Sequence, residues 1–105
     1  MIDLQFQALG FSSKETQAYL SLAEIGKCTA QLLGKRLGVP RTTAYSVLDS
    51  LVAKGMVSIE KRKNSTFYTA NAPEVLRRIL EKQKQVLEEK EKVAAEVINQ
   101  RKSVV

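Results

Sequence analysis

The apolar residues in the first part of the chain recur every three or four positions, which predicts a series of short helices. A first helix over residues 2–9 is closed by Gly10. A second begins after Ser12, which forms a capping box with Glu15, and ends at Gly26. The positions expected to face the core are Ile2, Phe6, Leu9, Ala18, Tyr19, Leu22 and Ala23.

Two further helices follow, joined by a tight turn. Thr29 is a suitable N-cap for a helix over residues 30–37, and Gly38 stops it. The next helix covers about residues 41–53 after a Gly-Val-Pro turn. Gly34 either lets these two helices cross closely or is a tolerated surface glycine. The apolar positions of the pair are Leu32, Leu33, Leu37, Ala44, Val47, Leu48 and Leu51.

Two short extended segments come after these helices. Residues 57–60 alternate between apolar and polar side chains, and residues 66–69 are aromatic or β-branched. The polar, basic stretch 61–65 between them predicts the loop of a β-hairpin. Two helices, a tight turn, a further helix and a hairpin together indicate a winged helix-turn-helix, a mainly α fold with a small β-hairpin.

The rest of the chain has the pattern of one long helix. Asn71 is placed as its N-cap, with a proline in the first turn and Glu74 at the third position. Nothing interrupts the helix from residue 73 to about 101. We therefore expect a winged helix-turn-helix domain over residues 1–72 and a long C-terminal helix over residues 73–102.

The apolar residues of the long helix follow a seven-residue repeat. Ile79, Val86 and Val93 are seven apart, which is typical of a coiled-coil seam, although Gln83 and Lys90 interrupt it. A helix this long does not bury such a stripe alone, so we expect a homodimer. The alternative is packing against the N-terminal helix of the same chain. The predicted dimer interface consists of Leu76, Ile79, Leu80, Val86, Leu87, Val93, Ala94 and Val97.

Charge points to a polyanionic partner. The 105 residues carry a formal net charge of +6, and residues 1–73 hold nine Lys or Arg against five Asp or Glu. No apolar run reaches the ~20 residues of a membrane span, and the N-terminus lacks a signal-peptide pattern. We therefore expect a cytoplasmic protein that does not associate with membranes.

The composition argues against catalysis and metal binding. There is no histidine, and Cys28 is the one cysteine, so neither an internal disulfide nor a thiolate-rich zinc site forms. We expect no enzyme activity, no metal and no cofactor. For Cys28, a small residue before a helix is favoured over a nucleophile or redox sensor, because no partner base is visible.

The helix over residues 41–53 has a face suited to DNA. Its outward positions hold short polar side chains, one aromatic ring and one arginine, which suit the major groove, rather than the long Glu and Lys side chains of a solvated face. Asp49 argues mildly against this, unless a base such as Lys54 pairs with it. The basic loop predicts contact with the DNA backbone or minor groove. The predicted DNA-binding residues are Arg41, Thr42, Thr43, Tyr45, Ser46, Lys61, Arg62 and Lys63.

The chain resembles the TrmB-type winged helix over residues 4–80. The resemblance lies in Leu9-Gly10-Phe11-Ser12, Glu15, Ala18-Tyr19-Leu20, Gly38-Val39-Pro40-Arg41-Thr42, Tyr45, Leu48, Leu51, Lys54-Gly55, Val57, Tyr68-Thr69-Ala70 and Pro73-Glu74. It implies a dimeric transcriptional regulator of archaea or bacteria, with Arg41, Thr42 and Tyr45 at recognition-helix positions. Many members add a C-terminal effector domain, so the chain is either a short member or the DNA-binding portion of a longer regulator.

The prediction is therefore a sequence-specific regulator that binds double-stranded DNA as a homodimer. The alternative is a winged-helix protein-interaction module that does not bind nucleic acid. Such a module predicts an apolar or acidic outer surface on the helix over residues 41–53 and on the hairpin loop. Arg41 and the Lys61-Arg62-Lys63 run disfavour it.

Overall fold

The structure is a computed structural model that describes residues 2–101. Within that range the elements follow the predicted order of helices, hairpin and long helix, which confirms the fold class. They are α1 (Ile2–Ala8), α2 (Ser13–Ile25), α3 (Ala30–Leu37), α4 (Arg41–Lys54), β1 (Val57–Lys61), β2 (Thr66–Ala70) and α5 (Val75–Asn99). The chain divides into two units, Met1–Val75 and Leu76–Val105. Met1 and Lys102, the outer ends of the two predicted domains, lie outside the described residues.

The capping box at the start of α2 forms as predicted. The Glu15 backbone N–H donates to the Ser12 hydroxyl at 3.1 Å, and the Ser12 N–H donates to the Glu15 carboxylate at 2.8 Å. The inner face of α2 differs from the prediction, because Ala23 is exposed whereas Glu15 and Thr16 are buried. Both buried polar side chains are hydrogen-bonded, which removes the penalty of burying them.

Gly34 brings α3 and α4 close together. A Cβ atom there would lie 3.1 Å from the Val39 carbonyl oxygen and 3.4 Å from the Ala44 Cβ, so no larger side chain fits without a shift. Gly38 ends α3 in the left-handed conformation, with a φ of 70°, which glycine adopts without strain. The close crossing of the two helices, expected as one alternative, is therefore confirmed. It fixes the direction of α4 relative to α3.

The core of the first unit lies between α2, α3, α4 and the root of the hairpin. Its largest fully buried side chains are Leu22, Leu33, Leu48, Leu51, Met56 and Thr16. Burying each leucine stabilises the fold by roughly 1.5–3 kcal/mol. The Phe6 ring packs against Phe11 and Tyr19, with centroids 5.6 Å away in both cases. Of the positions predicted to be inside, Ile2, Leu9 and Leu32 are exposed.

The hairpin is antiparallel and longer than predicted. Its register runs from Val57 opposite Ala70 to Lys61 opposite Thr66, so Lys61 belongs to β1 rather than to the loop. Val57 is buried, but Ile59 is exposed, which contradicts the expected alternation of buried and exposed positions. Ile59 lies opposite Tyr68, which is buried, so at this pair of positions β2 and not β1 contributes to the core.

Cys28 forms an isolated antiparallel β-bridge with Tyr68 in β2. Its N–H donates to the Tyr68 carbonyl at 3.0 Å, and its carbonyl accepts from the Tyr68 N–H at 2.8 Å. The side chain is buried, and burial raises the pKa of the Cys28 thiol. A raised pKa disfavours the reactive thiolate, in agreement with a packing role.

Asn71 does not cap the long helix, which begins at Val75. Its side-chain amide donates to the Gly55 carbonyl at 2.9 Å, and its side-chain oxygen accepts from the Ser58 hydroxyl at 2.7 Å. The Asn71 backbone carbonyl accepts from the Tyr19 hydroxyl at 2.6 Å. The predicted cap is thus wrong because these tertiary hydrogen bonds occupy the side chain.

The helix α5 spans 25 residues, or about 37 Å at 1.5 Å per residue. None of its side chains is buried. The exposed large apolar residues along it are Leu80, Val86, Leu87, Val93, Val97 and Ile98. Among residues 2–101, no helix is long and apolar enough to span a membrane.

Candidate nucleic-acid interface

The two faces of α4 are sharply different. The inner face is formed by Ala44, Leu48 and Leu51, each 0% exposed. On the other face Thr42 and Ser46 are exposed, whereas Thr43 and Tyr45 are half-buried. The inner residues hold the helix against α2 and α3, and the outer ones face away from this packing.

Arg41 and Tyr45 form one unit at the start of the outer face. The Arg41 guanidinium donates to the Tyr45 hydroxyl at 3.2 Å, and its central carbon lies 5.4 Å from the centroid of the tyrosine ring. The two residues are one helical turn apart, so their side chains meet on the same side of α4. The contact restrains the arginine, whose other N–H donors remain available.

The N-terminus of α4 has no side-chain cap. Pro40 occupies the N-cap position and makes no capping hydrogen bond. Its carbonyl accepts from the Ala44 N–H at 3.0 Å, which begins the regular helical pattern. The preceding N–H groups, together with the helix dipole, make this end of the helix favourable for a negatively charged group.

The β1–β2 hairpin is the wing, and its tip is formed by residues 61–65. Of the three basic residues at the wing tip, two are outside any ion pair of the described residues and one is paired. Lys61 and Lys63 are exposed, and the ion pairs found within residues 2–101 include neither of them. The Arg62 guanidinium instead donates to the Glu60 carboxylate at 2.6 Å and lies over the Phe67 ring at 4.9 Å. The turn is closed by the Arg62 N–H, which donates to the Ser65 carbonyl at 2.8 Å.

Glu60 also binds a lysine outside the wing. The Lys27 ammonium lies 3.3 Å from both Glu60 carboxylate oxygens. Hydrogen bonds from Arg62 and Lys27 lower the pKa of the Glu60 carboxyl. Sequence reasoning missed Lys27, because it is 33 residues away from Glu60 in the chain.

A buried carboxylate holds the C-terminal half of α4. Glu15 accepts hydrogen bonds from the Ser50 hydroxyl at 2.7 Å and from the Lys54 ammonium at 2.9 Å. Lys54 also donates to the Gly10 carbonyl and lies 5.0 Å from the centroid of the Phe11 ring. The suggested pair between Asp49 and Lys54 is therefore wrong, since Lys54 turns toward Glu15.

The environment of Glu15 changes its acidity. Burial raises the pKa of the carboxyl, but hydrogen bonds from Lys54, from the Ser12 backbone and from Ser50 outweigh it and lower the pKa to about 2. The carboxylate is therefore charged at neutral pH. It connects the start of α2 to the end of α4.

The described residues offer no metal centre. No three His, Cys, Asp or Glu side chains within residues 2–101 are grouped so as to hold an ion. The predicted DNA-binding residues fall into two places in the first unit, the outer face of α4 and the wing tip. The predicted dimer residues all lie on α5 or at its start, where they are exposed or half-buried.

Comparison with known proteins gives the family. The profile of the family described as sugar-specific transcriptional regulator TrmB matches residues 6–74. The HTH-type sugar sensing transcriptional regulator TrmBL1 of Pyrococcus furiosus is 35% identical over 77 residues, which are 73% of this chain and 23% of that protein. The uncharacterized protein YrhO of Bacillus subtilis is 32% identical over 73% of this chain and 28% of its own length. The chain thus matches about a quarter of these relatives.

Solved structures give the same fold. The archaeal chromatin protein TrmBL2 superposes with a TM-score of 0.80 and 23% identity over 99% of this chain and 41% of that one. The oxidized form of MarR from E. coli superposes with a TM-score of 0.60 and 18% identity over 98% of this chain and 82% of that one. The likeness in fold confirms the winged helix. The matched family consists of transcriptional regulators, not enzymes.

Proposed function

The chain belongs to the TrmB family of transcriptional regulators, and on this premise we propose that it binds double-stranded DNA sequence-specifically through α4. The observation that carries the proposal is the outer face of α4, with Arg41 held on Tyr45 beside exposed Thr42 and Ser46. In the major groove, arginine donates two hydrogen bonds to guanine, and hydroxyl groups contact bases or phosphates.

The architecture supports entry of α4 into the groove. The short side chains of Thr42 and Ser46 let the helix axis come close to the base edges, while Arg41 is long enough to reach them. The N-terminal N–H groups without a side-chain cap would lie near a backbone phosphate in that position. Thr43, half-buried in the first turn, would lie at the side of the same contact.

The wing would contact the DNA next to the helix. Lys61 and Lys63 are exposed, so their ammonium groups are free to approach phosphates. Such contacts fix the position of a protein on the duplex and contribute affinity that falls with salt. The wing therefore adds binding strength, and α4 adds sequence preference.

Dimerisation through α5 is the second part of the proposal. The exposed apolar side chains repeat every seven residues, and pairing of two copies would remove them from water. The interface would consist of Leu76, Ile79, Leu80, Val86, Leu87, Val93, Ala94 and Val97. A two-fold pair favours an operator that is an inverted repeat, with half-sites about 10 base pairs apart or a multiple of that.

The properties named for the relatives are properties of much longer proteins, of which this chain matches about a quarter. Sugar sensing is part of the name of TrmBL1, and the matched segment is 23% of that protein. DNA recognition is what the matched segment itself supports, since residues 6–74 contain α4 and the wing. A prokaryotic, cytoplasmic location of the regulator is consistent with the family match and with DNA recognition.

The test begins with selection of bound sites from a random duplex library. Arg41→Ala should then lose about 1–3 kcal/mol of binding free energy on the selected site, because a bidentate contact to one base is removed. Binding to unrelated duplex should change much less. Fluorescence anisotropy with a labelled duplex measures both.

The matched control is Arg36→Ala, which removes an exposed arginine that pairs with Glu24 instead of lying on α4. Its affinity for the selected site should stay near that of the unchanged protein. Equal affinities for Arg41→Ala and the unchanged protein would remove Arg41 from the contact. Failure of the selection to enrich any sequence would contradict sequence-specific binding.

A further inference from the structure

Three charged side chains from two separate parts of the first unit meet on the outer surface of the hairpin. Lys27 lies in the turn between α2 and α3, Glu60 is in β1, and Arg62 directly follows β1. The Arg62 Nε is 2.6 Å from one Glu60 oxygen, and the Lys27 Nζ is 3.3 Å from each. One carboxylate is thus shared by two cations.

This arrangement has the donors that a phosphate needs. Arginine and lysine bind carboxylate and phosphate oxygens with the same N–H groups and at similar distances. Two cations that converge on one pair of carboxylate oxygens can converge on two phosphate oxygens in the same way. The Glu60 carboxylate therefore occupies a position where a phosphate would fit.

The cluster is open to an incoming ligand. The side chains of Lys27 and Glu60 are 42% and 46% exposed. Exposed ion pairs contribute little to stability because water and salt screen them, so their exchange costs little. The Phe67 ring supports the Arg62 guanidinium from below, 4.9 Å from its centre, and restricts how far it moves.

Lys27 is held next to the wing by the backbone. The following residue, Cys28, exchanges two backbone hydrogen bonds with Tyr68 in β2. The position of Lys27 is therefore fixed relative to the hairpin, not only to α2. A duplex that touches the wing tip at Arg62 would lie within reach of the Lys27 ammonium.

We propose that Lys27 and Arg62 form a phosphate-binding pair at the side of the wing, and that Glu60 holds this pair in the free protein and competes with the DNA backbone for it. On binding, a backbone phosphate takes over the two cations. The carboxylate thereby weakens sequence-independent affinity, which leaves a larger share of binding to the base contacts of α4. This inference rests on the proposed DNA binding and adds Lys27 and Glu60 to it.

The decisive variant is Glu60→Gln, because the competition predicts a larger rise in DNA affinity than the loss of one negative charge elsewhere would give. Affinity for a duplex of unrelated sequence should rise roughly two- to tenfold at low salt. The slope of log affinity against log salt should steepen by up to ~0.9 for each additional phosphate that the protein neutralises. Anisotropy titrations over a range of salt concentrations give both values.

The matched control is Glu24→Gln, which removes the same charge and also breaks one exposed pair, with Arg36 at 3.3 Å. It reports the effect of removing one negative charge from an exposed ion pair that does not involve the hairpin, so its affinity should rise less than that of Glu60→Gln. A second variant, Lys27→Gln with Glu60→Gln, should lose most of the increase. Circular dichroism confirms that each variant is folded.

The outcomes separate the inference from the proposed function. Equal affinities for Glu60→Gln and Glu24→Gln, with duplex binding by the unchanged protein intact, would overturn the competition by Glu60. A salt slope that does not change when Lys27→Gln is added to Glu60→Gln would overturn the phosphate contact of Lys27. No duplex binding by the unchanged protein would overturn the proposed function and this inference together.

Discussion

The buried carboxylate of Glu15 should make the stability of the first unit depend on pH in a defined window. Its side chain is 8% exposed and bonded to Lys54, Ser50 and the Ser12 backbone. The change to make is Glu15→Gln, which keeps the size of the side chain and a carbonyl oxygen for the Ser12 N–H. What it removes is the negative charge and its attraction to Lys54.

The magnitude follows from the pKa of the carboxyl. It lies at about 2 in the folded protein, against an ordinary value of 4.5. Each pKa unit corresponds to about 1.4 kcal/mol, so the charged carboxylate contributes about 3.5 kcal/mol to the free energy of unfolding at neutral pH. The unfolded chain takes up the proton near pH 4.5 and the folded chain only near pH 2. The contribution is therefore complete above pH 4.5 and is lost as the pH falls toward 2.

The assay is urea unfolding followed by circular dichroism at a fixed protein concentration, at pH 7 and at about pH 3. The difference in unfolding free energy between the unchanged protein and Glu15→Gln should shrink by about 2 kcal/mol between these two pH values. Other carboxylates titrate in both proteins, so their effects cancel in this difference.

Glu24→Gln is the control, because its side chain is 72% exposed and its pair with Arg36 lies at the surface. Its difference from the unchanged protein should vary little with pH. Parallel pH dependence of the unchanged protein and Glu15→Gln would refute the reasoning. It would mean that the bonds from Lys54 and Ser50 do not stabilise the charged form in solution.

Two further predictions concern the wing and α5. Replacing Lys61 and Lys63 by glutamine should weaken binding to any duplex, as measured by fluorescence anisotropy. The slope of log affinity against log salt should fall by ~0.9 for each phosphate that is no longer neutralised. An unchanged slope would show that these lysines do not contact the DNA backbone. If α5 pairs as proposed, replacing Val86 and Leu87 by lysine should give a monomer in sedimentation while the winged helix stays folded, because charges without partners are costly to bury in the seam. Gln85→Lys is the control and should sediment like the unchanged protein, and a monomeric unchanged protein with intact DNA binding would contradict the dimer.

Local patterns were sufficient to predict the element order of the fold. The capping box of Ser12 with Glu15 and the glycine that ends α3 depend on residues within a few positions, so they are readable from sequence. The inward positions of α4 followed from helical spacing in the same way. The remaining positions of α4 were thereby predicted to face outward. Their role in DNA contact stays a prediction.

Contacts between distant residues were not predictable in this way. Lys54 is 39 residues from Glu15, and Ser58 is 13 residues from Asn71. Asn71 has the local signature of an N-cap, yet its side chain bonds to the start of the hairpin, because packing brought other partners within reach. The hydrogen-bond partner of such a side chain depends on the assembled fold. The sequence pattern alone favoured a helix-capping role for Asn71 and a pair with Asp49 for Lys54.

The separation of the two faces of α4 also bears on how such a protein diverges. Ala44, Leu48 and Leu51 are fully enclosed and constrain one another in volume, so exchanges there require compensation. Thr42 and Ser46 are exposed and can be exchanged without repacking. Under the proposed DNA binding, duplicated copies can therefore acquire new sequence preferences while the packing of the core persists. Arg41 and Tyr45 are the exception on the outer face, since their hydrogen bond links their side chains, and we expect them to be replaced together in descendants.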